Sequence, residues 1–329
     1  MPVNRRVFAT AGMALLCMPT VLRAQSDPAI AIRTAARGLD QLQTIMVQRG
    51  TEVIVAEAYR GASLKRAANI KSCSKSLLAL LLGAAIARGD IKDLSQTLAE
   101  VAPRLIPQDA TEGAAGLTME NLVTLRGGLG STSGPNYGSW ISSRNWVAYA
   151  LRQPRLGPNG GPMIYSTGTT HVLGAALAVA TGQTLLQQAR QTLGQGLGID
   201  VPAWTRDPQG YYFGGNEMAL TPEAMLRVAV MMRDGGQFDG RQVVPADWVR
   251  ASQQGRTRSP FSGLAYGYGW FLSRDGWTIA RGYGGQIIAS NTRRNLAVAI
   301  TSDPTRPARS DGHFGDLMRL IDGPIMAAA

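Results

Sequence analysis

Ser72 and Lys75 stand three residues apart at the mouth of the apolar run SLLALLLGAAIA. On a helix that spacing sets both side chains on one face. A serine in the first turn also lies beside backbone N–H groups that have no partner within the helix. A lysine in water has a pKa of about 10.4 and keeps its proton at neutral pH. Burial against leucines lowers that value. A neutral amine within reach of Ser72 Oγ could then take its proton and make the hydroxyl a nucleophile for acyl attack. The same residues also describe a helix-capping serine followed by a lysine that snorkels to water. The spacing alone does not choose between the two. Lysine is scarce in this chain: Lys65, Lys71, Lys75 and Lys92 are the only four among 33 basic residues.

Other chemistries are poorly represented. G-x-S-x-G, H-E-x-x-H, C-x-x-C and G-x-x-x-x-G-K-[ST] are all missing. His171 and His313 are the only histidines, too few for a three-histidine metal site, and each is expected to be a packed, hydrogen-bonded side chain. No metal or organic cofactor is expected. Cys73 has only Cys17 as a potential partner, and Cys17 falls in a segment expected to be removed. Cys73 is therefore expected to be a buried structural thiol.

That segment is the N-terminus. NRRVFATAGMALLCMPTVLRA places Arg5-Arg6 before a short apolar stretch broken by Pro19, with Ala24 before polar Gln25. This is the pattern of a signal peptide of twin-arginine (Tat) type over residues 1–24, which predicts the Tat export machinery as a partner and a periplasmic or secreted mature protein. Retention of the segment as an uncleaved anchor is the alternative. Cleavage would remove Arg5, Arg6 and Arg23 and no acids, so the formal charge of +11 less three leaves +8. The remaining charge is scattered rather than clustered, which predicts a solvated basic surface and no nucleic-acid partner.

The elements that must position Ser72 and Lys75 follow from periodicity. Helical spacing starts at Asp27-Pro28 and runs on through the 27–45 stretch. QTIMVQRG and TEVIVAEAYRG read as a hairpin turned at Arg49-Gly50. Helical patterns recur at 118–126, 143–153, 169–181, 183–194 and 221–235, between Gly/Pro/Asn-rich loops. Strand signals return in YGYGWFLS, GWTIARGYGG, QIIASN and NLAVAITSD, and a last helix is predicted over 311–326. The expected fold is α/β (α+β): an antiparallel sheet built from both chain ends and flanked by helices, with an inserted, mainly helical lobe. On this reading residues 25–329 form one domain, with 25–69 and 250–329 as its α/β part and 70–249 as its helical part.

Two further motifs, in order with the first, give the chain a family likeness. IYSTGTTHVLGAAL looks like a Tyr-x-Asn segment, at Tyr165-Ser166-Thr167, and ARGYGGQIIAS looks like a Lys/His-x-Gly triad, at Tyr283-Gly284-Gly285. With the S-x-x-K of Ser72 and Lys75, the chain resembles the serine β-lactamase and penicillin-recognising family on its class C-like side. That group includes D,D-peptidases, carboxylesterases and 6-aminohexanoate-dimer hydrolase. The resemblance covers nearly all of residues 40–305. It implies Ser72 as acyl-forming nucleophile, Lys75 as its proton acceptor, and Tyr165 as a proton shuttle, served as a phenolate by the Lys75 charge. It also implies an oxyanion hole from the backbone N–H groups of Ser72 and Gln286, and substrate contacts at Thr167, Tyr283, Gly284 and Gly285.

The glycines would let a substrate backbone approach a strand edge closely. Tyr137, Trp140, Trp146, Tyr268 and Trp270 are candidates for pocket walls, although packing is the favoured reading for any one of them. Thr167 stands where the family usually has asparagine, and Tyr283 where it has the Lys or His that helps bind a β-lactam carboxylate. The chain is therefore expected to cleave an ester or amide rather than a β-lactam, with a small molecule or cell-wall peptide as substrate. The alternatives are a D,D-peptidase or β-lactamase, and a non-catalytic module that binds cell-wall peptide. No oligomeric state is implied.

Overall fold

The computed structural model describes Met1 and residues 27–329, and the expected signal peptide with its twin arginines lies outside them. Asp27 accepts a hydrogen bond from the Ala29 N–H, and Pro28 opens helix α1 (Pro28–Arg37). This helix is shorter than its apolar spacing predicts. The chain turns after Gly38, and the rest of the run becomes strand β1 (Leu42–Arg49), because its alternating side chains have two cores to fill. Ile45 and Val47 face one core and Met46 the other. Strand β2 (Glu52–Ala58) returns from the turn at Gly50 as expected.

Six more strands come from the C-terminal part: β3 (Thr257–Arg258), β4 (Ala265–Tyr266), β5 (Phe271–Leu272), β6 (Thr278–Gly282), β7 (Gln286–Asn291) and β8 (Leu296–Ser302). The eight form one sheet in the order β2-β1-β8-β7-β6-β5-β4-β3. β1 and β8 pair antiparallel from Leu42↔Ser302 to Arg49↔Leu296, so both chain ends do share one sheet. The single strand predicted at YGYGWFLS is instead two short ones. The break falls at Gly269, which adopts a positive φ of 80° and passes so close to the Lys75–Ala79 stretch that a Cβ there would lie 2.6 Å from that of Ala79.

Helices cover both faces of the sheet. α2 (Cys73–Arg88) lies against β6 and against α3 (Thr167–Thr181), while α4 (Pro222–Arg233) lies across β8, β7 and β1. α1 and α5 (His313–Leu320) pack on the opposite face, where Ile32, Phe314 and Leu317 meet Ile279, Ile287 and Ile300. The last helix keeps winding beyond α5, but through a wider turn over Ile321–Ile325 that contains Pro324. Among the described residues no helix is long and apolar enough to cross a membrane.

α2 is apolar on all sides and buried from Cys73 through Ala85, as such a helix must be. Its fit is tight at Gly83, where a Cβ would lie 2.5 Å from Trp248 Cδ1. Gly83→Ala is therefore expected to destabilise the fold by about 1–3 kcal/mol through overpacking. A melting curve would register this as a fall of several degrees, and an unchanged midpoint would mean that Trp248 turns aside freely.

Candidate active site

Ser72 precedes the first residue of α2, and its hydrogen bonds are not those of a capping serine. Its side chain caps no backbone N–H of the helix. Lys75 Nζ lies 3.0 Å from Ser72 Oγ instead. Lys75 does not snorkel, being only 3% exposed. Chain entry to α2 is sharp, with Lys71 at a φ of 50° and the Cys73 N–H donating to Ile70 O. The Ser72 N–H has no acceptor among the described residues, so it remains available to an oxygen placed above the helix end.

Two more acceptors surround Lys75 Nζ: Gly215 O at 2.7 Å and Thr167 Oγ1 at 3.2 Å. A neutral amine has two protons and one lone pair. With the protons directed at Gly215 and Thr167, the lone pair is left for the Ser72 hydroxyl. Burial lowers the Lys75 pKa to about 7, and no carboxylate lies close enough to hold it up. Each acceptor is itself anchored. Thr167 opens α3, and its hydroxyl and N–H both meet Ser133 Oγ, at 2.9 Å each. Gly215 follows Gly214, whose N–H donates to His171 Nδ1 at 3.3 Å, while His171 Nε2 lies 3.0 Å from Asp207 Oδ2. His171 is thus the packed, hydrogen-bonded residue expected, as is His313, whose Nε2 lies 3.0 Å from Ser302 Oγ.

Tyr165 stands over the pair. Lys75 Nζ is 5.0 Å from its ring centroid. Burial raises the Tyr165 pKa to about 12, although the neighbouring Ser72 hydroxyl acts to lower it. The phenolate anticipated from the Lys75 charge is therefore disfavoured, since the same burial that discharges the lysine penalises the anion. Cys73 is the buried thiol expected. Its pKa is pushed far up by desolvation, and its Sγ–H donates to Gln286 O at 3.4 Å.

That last contact brings β6 and β7 to the site, though not in the way the triad implied. Tyr283, Gly284 and Gly285 form the turn between the strands rather than an open strand edge. Gly284 has a φ of 83° and packs on the Asp303 carbonyl, and Gly285 has a φ of 100° and lies so near the His313 ring that a Cβ would sit 2.8 Å from Cδ2. These glycines serve the turn and its packing. Gly282 makes the close approach next to Ser72, since a Cβ there would collide with Ile70 O. β5 pairs β6 only at Thr278 and Ile279, so the segment from Ala280 to Gly282 has a free outer edge. Tyr283 is half exposed, and Gln286 is fully buried with its amide holding the backbone of Ser302.

The aromatic pocket walls are mostly corrected by the packing. Trp140 and Trp146 meet each other, Phe213 and His171 in tilted or edge-on contacts, and Tyr268 stacks on Trp248. Trp140 and Trp270 are fully buried. Tyr137 alone stays near the site, its hydroxyl accepting from Asn216 Nδ2 at 3.0 Å, one residue beyond Gly215. Sequence reading missed Gly215 and Gly282, for which no motif existed. It also missed Arg281, whose charge bears on Tyr165 and Cys73; an arginine inside the otherwise buried run WTIARGYGGQIIAS was the available signal.

A buried lysine with its pKa lowered to about 7, 3.0 Å from a serine at the start of a buried helix, fits a serine hydrolase. The match that narrows this is to the β-lactamase family, whose model covers residues 33–321, and the chain belongs to that family. It is 28% identical over 286 residues to the 6-aminohexanoate-dimer hydrolase of Paenarthrobacter ureafaciens, covering 78% of this chain and 71% of that protein. Among solved structures it shares its fold with a penicillin-binding protein homologue from Caulobacter crescentus (TM-score 0.74, 18% identity, 92% of this chain and 98% of that one). It also matches EstCE1, described as a hydrolase with promiscuous acyltransferase activity (TM-score 0.74, 15% identity, 92% and 99%).

Proposed function

We propose that this chain hydrolyses a small ester or linear amide through an acyl-enzyme at Ser72. The observation that carries the reading is the Lys75 amine, desolvated and 3.0 Å from Ser72 Oγ. In acylation the Ser72 O–H proton passes to Lys75 Nζ as Oγ bonds the substrate carbonyl carbon. The Ser72 N–H and a backbone N–H from the β6–β7 turn region, with Gln286 as the sequence-based candidate, receive the oxyanion. The proton then travels from Lys75 by way of the Tyr165 hydroxyl to the leaving alkoxide or amine, and the C–O or C–N bond breaks. Water repeats the sequence in reverse roles: its proton goes to Lys75, its oxygen bonds the acyl carbon, and Ser72 Oγ leaves with a proton. Tyr165 acts as a neutral relay in both halves, in keeping with its raised pKa. Thr167 positions the Lys75 amine rather than the substrate. Tyr283, half exposed beside the free edge of β6, remains the substrate contact of its triad. The hydrolase relative supports a linear amide as one substrate class, and the absence of the family's Lys or His at 283 supports an acyl donor other than a β-lactam.

Brief exposure to p-nitrophenyl butyrate, a linear amide dimer or a penicillin, followed by intact mass and peptide mapping, tests this reading. The expected result is an acyl adduct on Ser72, or turnover, with the ester or the amide. An adduct with the penicillin alone would move the activity to the D,D-peptidase or β-lactamase type. A folded protein with neither adduct nor turnover would be a binding module. We propose further that residues 1–24 direct export. Recovery from the bacterial periplasm of a chain beginning near Gln25 is expected, and a full-length cytoplasmic chain would overturn it.

A further inference from the structure

A cavity of about 350 Å³ opens between the start of β1, the end of β8 and the loop over 60–69. That volume suits a small molecule. None of the candidate catalytic residues lines it. Arg60 and Arg66 do, and among the described residues no carboxylate joins them. Asp303, beside two lining residues, directs its Oδ1 to the N–H and hydroxyl of Thr305. The acceptors that the two arginines meet among the described residues are all backbone carbonyls. Arg60 donates to Leu42 O at 2.8 Å and Arg37 O at 3.2 Å, and Arg66 to Gly61 O at 3.1 Å. Arg60 does so from a left-handed backbone, at a φ of 55°, a costly conformation for a residue other than glycine. A guanidinium carries five N–H donors, so most of those on this pair are left over.

The floor of the cavity also lacks an acceptor. Thr44 and Thr301 line it from paired positions of β1 and β8, only 1% and 2% exposed, with their hydroxyl oxygens 2.6 Å apart. The two hydroxyls hold two protons, and the bond between them uses one. No acceptor among the described residues meets the other. A buried O–H left unpaired is costly, so this one calls for an oxygen from the cavity. We propose that the cavity binds the phosphate group of a small phosphate ester. A phosphate has oxygens enough to accept from both guanidinium groups and from the threonine pair, where a carboxylate has two. The remaining space takes the organic part of the ester. The inference does not depend on the hydrolase reading.

Calorimetric titration of the protein with glycerol 3-phosphate, inorganic phosphate and acetate tests it. The ester is expected to bind more tightly than inorganic phosphate, and acetate far more weakly than either. Arg66→Met should weaken binding of the ester about tenfold or more, the scale of a charge-assisted hydrogen bond. Thr44→Val combined with Thr301→Val removes both hydroxyls together, so the melting temperature should hold while binding falls severalfold. This pair tests the site even if Arg66→Met fails to fold. Acetate bound as tightly as the ester would make this a carboxylate site and overturn the proposal. Inorganic phosphate bound more tightly than the ester would assign the cavity to the free ion and overturn it too. Binding kept in Arg66→Met but lost in Lys75→Met would place the phosphate at the candidate active site instead.

Discussion

Ser72→Ala is expected to leave a folded protein with essentially no esterase turnover, a fall of about 10⁴-fold or more, as when the nucleophile of a covalent mechanism is removed. The fold should tolerate the change. A capping serine would cost about 1 kcal/mol on truncation, but Ser72 caps no backbone group of α2. What is lost is one hydrogen bond to Lys75. Melting temperature and intact mass, measured beside the kinetics, separate the outcomes. Turnover that survives in a folded Ser72→Ala variant would place the nucleophile elsewhere.

Lys75→Met keeps the aliphatic stem and removes the amine. Activity should fall by about 10²- to 10⁴-fold, the usual worth of a positioned general base. Lys75→Arg should fare no better, because a guanidinium cannot take the Ser72 proton near neutral pH. The wild-type profile gives an independent reading. With the Lys75 pKa at about 7, kcat/KM should rise with pH through that region and level off above it, and the Lys75→Met residue of activity should lose this inflection. A flat wild-type profile between pH 6 and 8 would remove Lys75 as the base.

Stability carries the same signature. An unfolded lysine titrates near 10.4, so between roughly pH 7 and 10 the unfolded chain binds more protons than the folded one. The Lys75 contribution to stability therefore improves as pH rises through that window and is at its worst below pH 7. Lys75→Met should flatten that slope, while leaving the Gly215 carbonyl without its donor at a cost of about 1–3 kcal/mol.

How much of this was legible in the sequence depended on whether the information was local. The Ser72–Lys75 pair could be seen because three residues of helix bring the two together, and the leucines that follow announce their burial. The sheet could be read because β1, β7 and β8 alternate or run apolar without interruption. The groups that complete the lysine's surroundings could not. Gly215 acts through its carbonyl, 140 residues away along the chain, and any residue has a carbonyl. Gly284 and Gly285 carried a motif, but their conformations are dictated by Asp303 and His313, which the motif does not contain. The tryptophans could not be divided between wall and core for a related reason: a ring suits both, and only the neighbours decide.

The pairing of β1 with β8 has a consequence for how the chain is made. The first strand emerges from the ribosome some 250 residues before its partner, by the register from Leu42↔Ser302 to Arg49↔Leu296. Until then β2 is its only strand partner, and a two-stranded ribbon is marginal in water. The central strands of the sheet cannot pair until residue 302 has been made, so closing the sheet meets a high entropic threshold. A chain truncated before residue 296 would lack β8 entirely, and would leave β1 and β7 as bare edges open to aggregation.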